Sequence, residues 1–410
     1  MASPYAQLLR TPRAWPFSLA GFFARLPLSM GGLALLLMMV DITDSYFIAG
    51  AVDATFILVG AFAAPGIAML IDRFGQRRVI GPQIVVYVLG VCTLLVLAET
   101  EAPLWTFFVV AAVTGSALPV VGAAVRARWT YILGDSPLMR TAYSWESVVD
   151  EFVFVTGPPL AAGVAAAFSG AAALALTAVI GSLGTLALLA QRHTEPPARP
   201  ASSSGGRLAI RYPGMPILLV VMFTLGVVFA GVEVTVIATA REGDNTAAAG
   251  VVLGLWSISS MAAGLVVGGL RRTPGLHIQL LAGSAATWLL LMPLFFVHSL
   301  VGIGAVLLFA GAGVAPALIA GFALASRLVP AATLTQSLTW ASIAIGVGFA
   351  LGSPASGLLV DHVSIRAGFW VGITAGFVAT AAALLGLRYM AHEYVEPGDS
   401  GDSADAEPVV

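Results

Sequence analysis

The sequence predicts an all-α membrane protein whose twelve transmembrane helices form two pseudo-symmetric six-helix bundles. Three observations lead to this fold class. Of the 410 residues, 59% are hydrophobic and only 10% are charged, and the mean hydropathy is +0.95, which excludes a soluble globular protein. Twelve apolar stretches are long enough to cross a bilayer. A flexible linker and an internal repeat then divide these stretches into six plus six.

The twelve candidate spans follow from the need for about 20 apolar residues to cross the hydrocarbon layer. Polar or Gly/Pro-rich breaks separate them. The first span follows Arg10 and Arg13 and is too long for a signal-peptide core. The predicted spans are 15–40, 47–71, 79–98, 103–126, 141–168, 170–191, 215–240, 246–270, 277–297, 299–326, 336–360 and 367–388.

The arginines predict the orientation, because cytoplasmic loops of membrane proteins carry the excess of basic residues. All 19 basic residues are Arg, and 16 of them flank the spans on the side that holds both termini. The other three are Arg25, inside the first span, and Arg241 and Arg366 on the opposite side. We therefore expect both termini in the cytoplasm. The Ala, Gly and Val content and the absence of Lys favour a GC-rich coding sequence and hence a bacterial plasma membrane.

A Pro/Ser/Gly-rich segment between spans six and seven is typical of a flexible linker. It predicts an N-terminal bundle at 1–191, a cytoplasmic linker at 192–214 and a C-terminal bundle at 215–388. The acidic tail at 389–410 is expected to be disordered and cytoplasmic.

The two halves repeat in sequence. Trp145 precedes Gly157 by the same spacing as Trp340 precedes Gly352, and the segment at 115–123 resembles that at 313–321. Parallel repeats related by an axis along the membrane normal are a transporter architecture. The Gly-Pro elements of spans five and eleven predict helix breaks at Gly157, Pro158, Pro159, Gly352 and Pro354.

With its twelve spans, central linker and repeat, the chain resembles the major facilitator superfamily over nearly its whole length. The segment DRFGQRR at 72–78 resembles the family motif GxLADRxGRK, with Ala68 in place of the first Gly and Gln76 in place of a basic residue. The resemblance implies a gating motif in which Asp72 lies against the start of span eleven and against basic residues at the end of span four. Its predicted members are Asp72, Arg73, Gly75, Arg77, Arg126 and Arg128.

A second motif, GxxxGPxxGG in span five, is found in the drug/proton antiporters of this family. Here Gly157 and Pro158 match, Val153 replaces the leading Gly, and Ala161 and Ala162 precede Gly163. This partial match favours antiport. The similar Gly-Ser-Pro of span eleven shows that part of the signal is common to both halves.

Span five carries three carboxylates, Glu146, Asp150 and Glu151. An ionisable side chain near the bilayer centre costs roughly 2.5–3.5 kcal/mol on insertion scales, so such acids are expected to be paired, protonated or in contact with water. Glu146 and Asp150 share a helical face. The fold itself does not require these acids, since the aligned residues of span eleven are Ala341, Ile345 and Gly346.

Arg25 reaches a depth of about 15 Å, similar to that of Asp150 and Glu151, and is their natural partner. One interpretation is a buried ion pair that ties span one to span five. The other is a proton-coupling centre of Asp150, Glu151, Glu146 and Arg25, because one arginine faces three acids. Glu146, at a depth of about 7 Å, is expected to be the weakest member, within reach of interfacial water.

In the family, spans one, four, seven and ten line the central cavity, so Glu233 in span seven is a candidate for substrate binding or for a second proton. The alternative is a solvated position near the outer mouth. Trp256 and Arg25 complete the predicted substrate site, although the serines beside Trp256 more often bond their own backbone. Asp44 and Asp53 are expected to be solvated near the outer surface.

We expect a secondary transporter, not an enzyme, that exports small amphiphilic molecules against protons by alternating access. The proton gradient is the expected energy source, with no cofactor, metal site or nucleic-acid partner, and the expected partners are the substrate, protons and membrane lipid. The chain is expected to be a monomer. Two alternatives remain, namely a proton-coupled importer of a polar nutrient and a receptor or lipid-translocating protein that keeps the fold.

Overall fold

The computed structural model describes residues 7–8, 10–100, 102–134, 136, 138–198, 209–269, 274–330 and 333–391. Side chains at 140, 143, 144, 147, 151, 268, 269, 334 and 335 are outside this description. The predicted tail from residue 392, the linker segment 199–208 and the side chain of Glu151 therefore lie outside the described part of the chain.

Within the described residues, 12 helices are long and apolar enough to cross a membrane. This confirms the predicted fold class. Eleven of the spans are Ala14–Thr43, Tyr46–Phe74, Gln76–Glu99, Met139–Ala167, Gly170–Ala190, Met215–Glu242, Thr246–Gly269, Leu276–Leu291, Leu300–Arg327, Leu334–His362 and Gly368–Met390. Span four consists of two helices, Leu104–Ser116 and Val121–Leu133.

Span four differs most from its predicted bounds of 103–126. Its backbone leaves the helix around Pro119 and then continues to Leu133. Proline has no N–H to donate and clashes with the preceding turn, which accounts for the interruption. The extension carries Arg126 and Arg128 inside the helix and not in a loop.

The helix breaks predicted for spans five and eleven are wrong. Met139–Ala167 continues through Pro158 and Pro159, and Leu334–His362 continues through Pro354. These residues serve as sites of close packing. A Cβ at Gly157 would clash with Ser29 of span one, and a Cβ at Gly352 would lie 3.0 Å from Val227 Cα of span seven.

We call the side of the bundle that holds Ala14 and Met390 the terminal face, and the opposite side the distal face. The helix pairs with the most extensive contact are those of spans seven with eleven, one with six, and two with eleven. The last pair joins the two halves, as does the pairing of spans five and eight. A large apolar core in both halves fills the space between these helices.

Candidate functional site

A network of charged and polar side chains ties spans one, four and five together within the N-terminal half. Arg25 donates through Nη2 to Glu146 Oε2 and through Nη1 to Asp150 Oδ1 at 2.6 Å. Arg126 donates to the other oxygen of Asp150 at 2.5 Å. Two arginines therefore face two carboxylates among the described side chains, and this part of the network is balanced in charge.

Burial differs sharply across the network. The side chains of Arg25 and Glu146 are 4% and 0% exposed, whereas those of Arg126 and Asp150 are 35% and 30% exposed. The prediction that Glu146 reaches interfacial water is therefore wrong. Trp129 donates to Glu146 Oε1 at 2.7 Å, and Ser18, which accepts from Trp145, donates to the same oxygen at 3.3 Å. These side chains replace the water that the carboxylate would otherwise need.

The loop between spans two and three is held within the N-terminal half. Gly75 has a φ of 89°, a backbone conformation that favours glycine. Gln76, which stands in place of a basic residue of the family motif, is buried, donates to Ala124 O at 2.9 Å and accepts from Arg128 Nε at 2.8 Å. An amide can bond in both directions, which a basic side chain cannot.

Three of the predicted members of the gating motif lie at the surface of the terminal face. Asp72, Arg73 and Arg77 are exposed, and Asp72 makes no ion pair with any side chain that the structure describes. Arg128 is fully buried and donates to Thr194 Oγ1 at 2.7 Å and to Gln191 O at 3.0 Å. In this conformation the structure places neither Arg126 nor Arg128 against Asp72.

The distal face joins the two halves through polar contacts that the sequence did not reveal. Asp361 of span eleven caps the first turn of span two. It accepts from Ser45 Oγ at 2.7 Å, Phe47 N at 2.9 Å and Tyr46 N at 3.0 Å. A carboxylate is favourable there because the first N–H groups of a helix lack partners within the helix.

An ion pair also crosses the distal face. Arg241 of span seven donates to Asp41 of span one at 2.6 Å, with side chains 29% and 40% exposed. The other oxygen of Asp41 accepts from Gly170 N at 3.0 Å. Asp41 thus links the first turn of span six to span seven of the opposite half.

Close helix packing accompanies these polar contacts in two places. In one, a Cβ at Gly50 of span two would lie 2.8 Å from the carbonyl carbon of Ser353 in span eleven. In the other, a Cβ at Gly250 of span eight would lie 2.5 Å from Pro159 Cα in span five. Glycine at both positions lets the halves meet backbone to backbone near the distal face.

Asp53 lies one helical turn below Gly50 and is completely buried, contrary to the prediction that it is solvated. Both carboxylate oxygens lack a hydrogen-bond partner among the described residues, and so does the buried hydroxyl of Ser353. The carboxylate lies against span one, since a Cβ at Gly32 would lie 3.0 Å from Asp53 Oδ1. It lies one helical turn from the contact of Gly50 with span eleven, and the sequence of span two alone does not show this burial.

Glu233 of span seven is partly exposed and lies within electrostatic reach of Asp53. One turn away, the Phe229 ring packs on Trp256 of span eight with centroids 5.4 Å apart. The Trp256 indole is 7% exposed, and its N–H has no partner among the described residues. The predicted substrate residues Glu233 and Trp256 therefore lie on two helices that meet at Phe229, while Arg25 belongs to the network in the other half.

Comparison with known proteins gives a consistent result. Residues 17–331, more than half of the chain, match the sequence profile described as the Major Facilitator Superfamily. No curated protein matches the chain in sequence. Among solved structures, the chain is similar to that of the nucleoside transporter NupG (D323A mutant), with a TM-score of 0.71, 15% identity, and coverage of 92% of this chain and 99% of that one.

Similar structures also include a POT family transporter in complex with 5-aminolevulinic acid. Its TM-score is 0.69 at 13% identity, with coverage of 92% of this chain and 96% of that one. The POT family transporter PepTSo has a TM-score of 0.67 at 15% identity, with 92% and 97% coverage. At this level of identity the likeness concerns the fold.

Proposed function

The chain belongs to the major facilitator superfamily, and on that premise we propose that it is a proton-coupled secondary transporter that exports small amphiphilic molecules by alternating access. The observation that carries the proposal is the closure of the distal face. There, two backbone contacts between glycine and the opposite half combine with polar contacts from Asp361 and Arg241. Such contacts can open and close as the halves rock about a central site.

In this proposal the terminal face is cytoplasmic, because 16 of the 19 arginines flank the spans on that side. The structure then represents a state closed to the outside. A reporter fused after Ala201 is expected in the cytoplasm, and one fused within 242–245 outside the cell. Both reporters on the same side would contradict the orientation.

The substrate class is inferred from the surfaces that lie toward the terminal face of the molecule. The Arg126–Asp150 pair is partly exposed, and two residues further along span five Phe152, 52% exposed, packs against Phe22 with ring centroids 6.0 Å apart. A crevice of about 590 Å³ between spans two, three and four is lined mostly by apolar side chains, with Arg78, Gln83 and Ser116 as its polar members. Apolar surface with a few convergent polar groups suits amphiphilic ligands.

The gating motif has a role in this cycle. We propose that Asp72, exposed in the present state, pairs across the two halves when the cytoplasmic side closes. Asp72→Asn is then expected to slow transport and leave substrate affinity largely unchanged. Loss of binding with normal conformational exchange would contradict that role.

The test is proton movement in vesicles that contain the purified protein, screened with drug-like cations, sugars, amino acids, peptides and nucleosides. The proposal predicts that a compound on the membrane side that corresponds to the cytoplasm crosses to the other side. Protons should cross in the opposite direction at the same time. Uptake together with protons would replace the exporter with an importer. No proton movement with any compound, in protein shown to be folded, would overturn proton coupling.

A further inference from the structure

We propose that Asp53 and Glu233 form the proton-carrying site of this protein, with Asp53 holding the proton while the distal face is closed. This inference deepens the proposed function and depends on it for its role in transport. It replaces the predicted centre around Arg25 as the place where the proton binds.

The first argument is the contrast in partners between the two groups of buried acids. Glu146 and Asp150 are bonded to Arg25, and Asp150 also to Arg126. Asp53 is fully buried, and neither of its oxygens has a donor among the described residues. A buried carboxylate without a cation or donor is stable only as the neutral acid, because burial of an unpaired charge is very costly.

The second argument comes from the pseudo-symmetry of the distal contacts. Gly50 and Gly250 occupy equivalent places, each packed against the Gly-Pro element of the opposite half. Extending this alignment sets Asp53 opposite Leu253 and Glu233 opposite Leu33, and both leucines are buried. The packing therefore does not require an acid at either position, and only one of the two equivalent corners carries acids.

The ionisable groups around Asp53 leave Glu233 as its partner. Arg25 belongs to the balanced network, Asp41 and Arg241 pair with each other, and Asp361 caps span two. Among the described side chains, Glu233 is the acid on which the charge of Asp53 acts. The other ionisable residues of the spans that pack on span two are Arg77, Arg78, Tyr87, Cys92, Glu99, Arg126, Arg128, Tyr131, Glu242 and His362.

Exposure gives the two acids different roles. Asp53 is fully buried one helical turn from the Gly50 contact, whereas Glu233 is partly exposed. Glu233 therefore provides the route by which the proton reaches or leaves Asp53 while the distal face is closed. Opening of the distal face separates spans two and eleven and gives Asp53 its own access to water from the opposite side.

The order of events follows from charge. The neutral Asp53 tolerates closure of the distal face, while the ionised form favours its opening, because the charge then regains water. Protonation of Asp53 from outside thus lets the distal face close, and the protein returns without substrate to the state that is open to the cytoplasm. Release of this proton to the cytoplasm then precedes export of the next substrate molecule. The proton moves between carboxylate oxygens and water only, so no other reactant is needed.

The site fits a proton better than a metal cation. A sodium ion would need several oxygen ligands, and here the buried unpartnered oxygens are those of Asp53 and the Ser353 hydroxyl. A proton needs the carboxylate alone. Sodium binding is therefore the competing outcome of the experiment.

Infrared spectroscopy of the purified protein, titrated with acid and base, tests the site directly. The C=O band of a protonated carboxylic acid should titrate in the wild type and in Asp44→Asn, which changes an exposed acid at a φ of 50° that Asn also accepts. The Asp53 part of the band should vanish in Asp53→Asn and in Asp53→Leu, which copies Leu253. The leucine variant also serves if the asparagine variant fails to fold.

An unchanged band in both Asp53 variants would overturn the inference. So would a band that disappears on addition of NaCl, but not of KCl, at constant pH. If the Asp53 part of the band titrates as expected but the wild type moves no protons with any compound, the proposed function is wrong and Asp53 is still a proton-binding site. If Asp53→Asn still accumulates substrate against a gradient, the site fails and the proposed function stands.

Discussion

Two corners of the distal face, the Gly50 corner between spans two and eleven and the Gly250 corner between spans eight and five, are alike in packing and different in charge. In each, a glycine at the fifth position of its helix meets the Gly-Pro element of the opposite half. One turn below, the first corner buries Asp53 and the second buries Leu253. Both copies of the repeat therefore keep the contact on which the halves close. They differ in the residue one turn below it, which is Asp53 in the first and Leu253 in the second.

The same contrast holds for the charged network at the terminal side. Extending the alignment sets Arg25 opposite Leu225, which is buried, and Glu146 opposite Ala341. Here the acids are matched by arginines, as expected of a structural tie. At the Gly50 corner Asp53 is unmatched, as expected of a group that gains and loses a proton.

The largest effect is expected from Arg25→Leu, which copies Leu225 and leaves Glu146 buried without its cation. Breaking a buried pair from one side typically costs about 3–5 kcal/mol, so the melting temperature should fall strongly. The double variant Arg25→Leu/Glu146→Ala should recover much of the loss. A double variant no more stable than the single one would show that Glu146 is not what makes the loss severe.

Asp53→Leu sharpens the comparison from the other corner. Because Asp53 has no partner to lose among the described residues, its replacement should leave the melting temperature unchanged or raise it. Proton-coupled accumulation should nevertheless be lost. A fall in stability as large as that of Arg25→Leu would mean that Asp53 is paired in the folded protein.

Gly50→Ala and Gly250→Ala test whether the two corners are equivalent in packing. Each added methyl group would overlap backbone of the opposite half, and overpacking of this kind typically costs about 1–3 kcal/mol. Both variants should therefore label faster than the wild type at a cysteine placed at Phe47 on the distal face, in a background without Cys92. Gly66→Ala in span two, where a Cβ meets nothing within 4 Å, is the control and should label like the wild type. Faster labelling in only one of the two corner variants would break the equivalence.

The polar contacts should have smaller effects. Asp361→Ala removes a helix cap, which is typically worth about 0.5–2 kcal/mol, and should also speed distal labelling. Asp361→Asn, whose single amide oxygen can still accept a hydrogen bond, should lie between this variant and the wild type. Labelling of the alanine variant at the wild-type rate would show that the cap does not hold the closed state.

Arg241→Gln should have the smallest effect, because partly exposed ion pairs contribute about 0–1 kcal/mol and are screened by salt. A double-mutant cycle with Asp41→Asn, measured by distal labelling at low and high salt, isolates the pair. A coupling that does not weaken with salt would show that the two groups are buried more deeply than their exposure indicates.

The sequence predicted the twelve spans because hydropathy over about 20 residues reports directly on membrane crossing. It also predicted that Arg25 meets Asp150, because both residues lie at a similar depth. It placed Asp53 in solvent because that residue is only seven positions from the start of its span, about 10 Å at the rise of a helix. In the structure Asp53 is buried against Gly32 of span one, one helical turn from the contact of Gly50 with Ser353, which joins segments some 300 residues apart in the chain.

The helix breaks were predicted wrongly for a related reason. Proline and glycine in a helix signal either a break or a place of close approach, and the neighbouring helix decides between these. The repeat could have indicated close approach, since Gly50 and Gly250 occupy the same position in equivalent spans. Gln76 likewise departs from the family motif, in which a basic residue is usual, but Arg128 and Ala124 give its amide two hydrogen-bond partners.

The central claim, that the proton on Asp53 controls closure of the distal face, is tested most directly by the distance across that face as a function of pH. Spin labels at Ile42 and Val363, exposed residues of opposite halves, report this distance. In the wild type the ratio of the closed population to the open population should fall by up to about tenfold for each unit by which the pH rises, as Asp53 ionises. In Asp53→Leu the ratio should stay constant, and the same pH dependence in both proteins would contradict the account.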